Sequence, residues 1–118
     1  MSAERELAPD RVAEMLEAGQ LELIDVRTDE EHEAGHVAGD RHLPIERLAE
    51  GAAALDPSKP LVFYCRVGER SAVAADALSA SGREAYSMAG GLLAWAERGL
   101  PLEPEGGAVS EHGLLPPR

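Results

Sequence analysis

Aromatic residues are scarce in this sequence, 3% of 118 residues, and cysteine occurs once, at Cys65. A single thiol excludes any disulfide framework within the chain and suits a reducing compartment. With few aromatics, the core must rest on Leu, Val, Ile and Ala, and 44% hydrophobic residues suffice for one domain without staples or metal. No apolar run approaches the length of a membrane span, and no basic-then-apolar leader opens the chain. The expectation is therefore a cytoplasmic, soluble protein with no membrane partner.

Positive charge is also in short supply. Eleven bases face 22 acids, for a formal net charge of −11. Such a surface repels nucleic-acid phosphates, so no nucleic-acid partner is expected. Lys59 is the one lysine; the other bases are arginines, and two of them, Arg66 and Arg70, follow Cys65 within five residues. A local cationic spot in an acidic chain marks that loop for attention.

What is present alternates in type along the chain. Pro9–Ala18 reads as a helix with Val12, Met15 and Leu16 on one face, ended by Gly19. Leu21–Val26 reads as a short buried strand. Thr28 and Glu31 have capping-box spacing, which predicts a short helix stopping at Gly35. Val37–Leu43 predicts a turn at Gly39-Asp40 and a brief strand, and Pro44 opens a helix with Ile45, Leu48 and Ala49 inward. Leu61–Tyr64 is a continuous apolar run of the kind buried on both faces of a sheet. An Ala-rich helix from Ser71 to Ala80, a strand Ala85–Met88, and a helix after Gly90-Gly91 with Leu92, Trp95 and Ala96 inward complete the pattern. This alternation predicts an α/β domain with a largely parallel sheet over residues 1–103. Glu, Pro and Gly dominate beyond it, so residues 104–118 are expected to form a loosely ordered tail.

Sites in such sheets form at the carboxyl ends of strands, which is where Cys65 stands. The loop Cys65-Arg66-Val67-Gly68-Glu69-Arg70-Ser71 joins the apolar strand to a helix. Gly68 allows a left-handed turn, so backbone N–H groups can converge on one point, and the helix aims its positive end there. A thiol in that position is expected to ionise more readily than a free one, helped by Arg66 or Arg70. A lone Cys is by default a buried structural thiol, but this setting favours function.

The loop resembles the active-site loop of the rhodanese family, Cys-x-x-Gly-x-Arg followed by Ser or Thr. Three further segments agree in order: Ile24-Asp25-Val26-Arg27, the stretch from Glu33 to Pro44, and "GGLLAWAERGLP" from Gly90. The resemblance implies a central five-stranded, mainly parallel sheet flanked by helices on both faces. It implies a sulfurtransferase whose Cys65 takes sulfane sulfur from a small donor such as thiosulfate and passes it to a thiophile: cyanide, a thiol, or the thiol of another protein. Arg66 to Ser71 (Arg66, Val67, Gly68, Glu69, Arg70, Ser71) would line the pocket, Asp25 and Arg27 would support it, and no cofactor is implied. Three positions depart from the family pattern: Ala38 replaces Pro, His42 stands where Asn is frequent, and Glu69 puts a carboxylate in the loop.

Other chemistries fit these residues less well. Phosphatases and arsenate reductases sharing this fold have five residues between Cys and Arg; here four separate Cys65 from Arg70, which leaves less room for a tetrahedral oxyanion and makes that chemistry the less favoured alternative. His32-Glu33-Ala34-Gly35-His36 matches a zinc-peptidase pattern, but Gly35 breaks the helix that both His would need, so no metal is expected. Asp25 and Arg27 are more simply a structural ion pair than catalytic groups, and Trp95 is core. A binding or sulfur-carrier module that lends the fold to a partner is the alternative function. Lacking a second Cys, the chain must discharge any persulfide to an external nucleophile.

Overall fold

The apolar run Leu61–Tyr64 forms a strand whose four residues are all buried, at the centre of a five-stranded sheet. The computed structural model describes residues 5–109. In chain order the elements are β1 (Glu6–Leu7), α1 (Pro9–Glu17), β2 (Glu22–Asp25), α2 (Asp29–Ala34), β3 (Arg41–His42), α3 (Leu48–Gly51), β4 (Leu61–Tyr64), α4 (Glu69–Ala80), β5 (Ala85–Met88) and α5 (Gly91–Glu97). The strand order is β1-β5-β4-β2-β3 and every pairing is parallel.

Two apolar clusters occupy the two faces. Ile24, Phe63, Leu61, Ala74, Ala75 and Leu78 pack between sheet, α3 and α4. Val12, Leu23, Val62, Tyr64, Leu92 and Trp95 pack between sheet, α1 and α5. Each large side chain of this kind contributes about 1.5–3 kcal/mol when removed from water, which fixes the strand register that positions the loops.

The expected α/β architecture is present, with local differences. Strand β1 carries no readable pattern in its two residues; it pairs Glu6 with Ser87 and Leu7 with Met88 at the sheet edge. The helix expected after Pro44 is broken into a 3-10 turn at Ile45–Arg47, α3, and a second turn at Ala52–Ala54. A tighter turn advances the inward face by three residues, so Ile45, Leu48 and Ala52 pack inward. Ala49, expected inward, is exposed. Helix α4 starts at Glu69, so Glu69 and Arg70 belong to its first turn.

The chain stays in contact beyond residue 103. His36 and Glu103 exchange backbone hydrogen bonds as an antiparallel bridge (2.9 and 2.7 Å), and the Ala108 N–H donates to the Ala34 carbonyl at 2.9 Å. Val109 packs on the α1/α5 core. Backbone pairing of this kind leaves no apolar period in Glu- and Gly-rich sequence. The remainder of the expected tail, residues 110–118, lies outside the described residues. Among those described, no helix is long and apolar enough to cross a membrane.

Candidate functional site

Cys65 leaves β4 on the α3/α4 face and is 1% exposed. Gly68, with φ +110°, caps α4 in the left-handed region that a side chain resists, and this turn curls the loop back over the sulfur. The Gly68 N–H then donates to Sγ at 3.1 Å and the Ser71 N–H at 3.4 Å. The thiol in turn lies 3.6 Å from Ser71 Oγ. Two backbone N–H groups on one sulfur, at the positive end of a twelve-residue helix, favour negative charge there.

The carbonyl side of the loop is held from elsewhere. Leu92 N–H donates to the Cys65 carbonyl at 2.8 Å and Leu93 N–H to the Arg66 carbonyl at 3.0 Å. A Cβ on Gly91 would collide with both carbonyls. The Gly90-Gly91 pair therefore lets the start of α5 dock against the Cys65 loop.

The other loop side chains divide by direction. Val67 and Glu69 face solvent, and Arg66 is half-buried. Arg70, expected to act on the thiol, interacts with Cys65 through its charge while its hydrogen bonds go to Glu31 of α2, Nη1–Oε1 2.8 Å and Nη2–Oε2 2.9 Å. Burial works against the Glu31 carboxylate, but the Arg70 and Thr28 hydrogen bonds outweigh it and bring its pKa down to about 2. Glu31 serves twice, since it also closes the capping box with Thr28. The sequence exposed only the capping half of that role. Ser87 of β5 escaped notice altogether: its hydroxyl meets Ser71 Oγ at 2.7 Å, and both residues are buried.

Asp25 and Arg27 lie on the opposite face. In register with Tyr64, Asp25 accepts from Arg27 Nε (2.9 Å), Nη2 (2.8 Å) and backbone N–H (3.0 Å). Arg27 also donates to the Gly35 carbonyl at 2.7 Å, and its guanidinium sits 5.6 Å above the Tyr64 ring. Both side chains are fully buried, so burial opposes the Asp25 charge, yet the Arg27 hydrogen bonds hold its pKa below the usual carboxylate value. His32 donates from Nδ1 to Asp25 Oδ2 at 2.9 Å, and Tyr64 donates to Asp40 at 2.6 Å. These contacts are those of a structural ion pair at the root of the turn. His42, in its unusual position, donates from Nε2 to the Arg27 carbonyl at 2.8 Å and stacks on His32.

His32, His36 and Asp40 come near enough to suggest a metal cluster. The imidazoles of His32 and His36, however, stack with centroids 3.8 Å apart and planes within 16°. Ring-nitrogen lone pairs lie in the ring plane, so two parallel rings cannot aim at one ion. A groove of about 890 Å³ lies on the α1/α5 side among Leu16, Leu21, Trp95 and Leu100, and Cys65 is not part of it.

Residues 8–98 match the family described as Rhodanese-like domain. The chain is 41% identical over 100 residues to the HTH-type transcriptional regulator Rv0324 of Mycobacterium tuberculosis, which covers 82% of this chain but 43% of the regulator. It is 34% identical over 98 residues to the thiosulfate sulfurtransferase GlpE of Shewanella oneidensis, covering 82% of this chain and 97% of that one. A crystal structure of a rhodanese-related protein from Thermoplasma volcanium superposes with a TM-score of 0.79 at 30% identity, covering 86% of this chain and 99% of the other. The cysteine loop, the parallel sheet and these matches agree, and the chain belongs to the rhodanese-like domain family.

Proposed function

We propose that this chain is a sulfurtransferase in which Cys65 carries sulfane sulfur as a persulfide between a small donor, such as thiosulfate, and a thiophilic acceptor. The observation that carries the reading is the pair of N–H groups on Sγ, which favours the thiolate needed to attack. The Sγ lone pair bonds the outer sulfur of the donor and the donor S–S bond breaks. With thiosulfate, sulfite leaves with that electron pair and Cys65 is left as a persulfide anion. A thiophile then takes the outer sulfur, the Cys65 S–S bond breaks, and the thiolate returns. Charge and electrons balance without a cofactor.

The loop from Arg66 to Ser71 supplies the pocket. Cys65 is 1% exposed, so the terminal sulfur of a donor must enter the loop to reach it. Asp25 and Arg27 support the site by holding β2 and the turn after it. Because Cys65 is the one cysteine, the acceptor is external: cyanide, a small thiol, or the thiol of a protein partner. A reducing cytoplasm suits such a thiol.

A second reading has an observation in its favour. The regulator relative is more than twice as long as the matched region, so the fold also serves as a module within a larger protein. On that reading the domain receives sulfur or a partner without turning over by itself. Intact-mass measurement separates sulfur loading from partner binding alone, and thiocyanate release over many cycles separates turnover from carriage. Incubation with thiosulfate should add the mass of one sulfur to the wild type and nothing to Cys65→Ser, and cyanide should remove it. No adduct with any sulfane donor would overturn the enzymatic reading.

A further inference from the structure

Ser71 Oγ has three neighbours: Cys65 Sγ at 3.6 Å, the Gly68 carbonyl at 3.2 Å and Ser87 Oγ at 2.7 Å. A serine hydroxyl has one proton to give. If Ser71 gave it to Ser87, the Gly68 carbonyl would keep only the Ala72 N–H at 3.1 Å, and the proton of Ser87 would point into the buried face of β5. If Ser87 donates instead, both protons are used. Ser87 is 1% exposed and in register with Phe63, on the apolar face that also holds Cys65. A buried strand position there has no packing need for a hydroxyl.

We propose that Ser87 is a positioning residue for the sulfur chemistry, acting through Ser71. By filling a lone pair of Ser71 Oγ, Ser87 keeps the Ser71 proton on the side of Gly68 and Sγ. While the sulfur is a thiol, its S–H faces Ser71 Oγ and Ser71 donates to Gly68. Once the sulfur is anionic, the Ser71 O–H turns to Sγ as a third donor beside the two backbone N–H groups. Charged groups do not duplicate this effect from β4 or β5, whose residues on the Cys65 face, Phe63 and Ser87, are neutral, and Leu92 of α5 packs on the opposite face. Arg70 of α4 is hydrogen-bonded to Glu31 of α2 and reaches Cys65 only through its charge, while Arg66 and Glu69 of the loop sit half-buried and exposed. The inference rests on the reading of Cys65 as the sulfur carrier, but part of its test does not.

The test compares wild type, Ser87→Ala, Ser87→Thr, Ser71→Ala and the double Ala variant. Iodoacetamide alkylation of Cys65 against pH reads the thiolate directly, and mass-resolved loading from thiosulfate reads the chemistry. Ser87→Ala should move the alkylation midpoint up by about half a pH unit and slow loading about three- to tenfold, as loss of a donor to the charged form requires. Ser87→Thr, which keeps the hydroxyl, should restore both. In the Ser71→Ala background, Ser87→Ala should add nothing, because its effect passes through Ser71. An unchanged midpoint in Ser87→Ala, or full additivity with Ser71→Ala, overturns the proposal. Wild type that takes no sulfur would defeat the sulfurtransferase reading alone, while the alkylation midpoints still decide the role of Ser87.

Discussion

The two faces of the sheet treat charge in opposite ways. On the α1/α5 face, Asp25 and Arg27 are fully buried and answer each other with three hydrogen bonds, and His32 and Gly35 take up further valences. On the α3/α4 face, Cys65 sits among neutral partners: two backbone N–H groups and a serine hydroxyl. The first arrangement cancels its own charge, with one Arg27 nitrogen, Nη1, left without a hydrogen bond. The second keeps donors around a sulfur whose charge is not already cancelled by a contacting cation. A buried ion pair specifies shape; a set of neutral donors around one atom stabilises a charge that comes and goes.

Variants can break either half of that contrast. Cys65→Ser should eliminate sulfur uptake entirely while leaving the unfolding midpoint within a degree or two, about what a near-isosteric change allows. A large loss of stability instead would mark Cys65 as a core residue first. Arg27→Ala should be the most costly for the fold, about 3–5 kcal/mol by denaturant titration, because it leaves Asp25 charged and buried. A cost under about 1 kcal/mol would mean the pair is dispensable.

Arg70→Ala falls between the two faces. The Arg70–Glu31 pair ties α4 to α2, so the variant should lose about 2–3 kcal/mol as well as slowing uptake, since Glu31 is left buried without its partner. Glu31→Gln should be milder in stability and equally informative in rate. If Glu31→Gln accelerates loading, freed Arg70 charge reaches the donor; if it does not, Arg70 is an anchor for the loop. A further expected effect is one of pH. The Glu31 carboxyl titrates near 2 in the fold against an ordinary value of 4.5. Its stabilisation is therefore complete above about pH 5 and is lost as the pH falls toward 2. Thermal unfolding across that range should show a decline that Glu31→Gln reduces.

Much of this was legible in the sequence for physical reasons. Leu61–Tyr64 announced a central strand because four apolar residues in a row suit burial on both faces. Thr28 and Glu31 announced the start of α2 because a capping box is local. What stayed hidden depends on distance along the chain. The Glu31–Arg70 pair spans 39 residues, and nothing near either residue signals the other. Ser87 looks like any small residue in a strand until the sheet sets it beside Ser71. The backbone pairing of Glu103 with His36 leaves no trace in side-chain pattern at all. Arg70, taken from the loop alone, points to the sulfur, and its charge does act on Cys65; its hydrogen-bond partner Glu31 lies on another helix.

The docking of α5 on the cysteine loop has a consequence in time. A trans peptide points its N–H opposite to its carbonyl. By accepting from Leu92 and Leu93, the carbonyls of Cys65 and Arg66 commit the N–H groups of Arg66 and Val67 to the opposite side. The orientation of these peptide planes is thus set by residues more than twenty positions downstream. As the chain is made from its N-terminus, the thiol emerges well before the helix that orients its loop. A nascent chain ending short of Leu93 would present the sulfur without that control, so the pocket and its chemistry should mature together, late in synthesis.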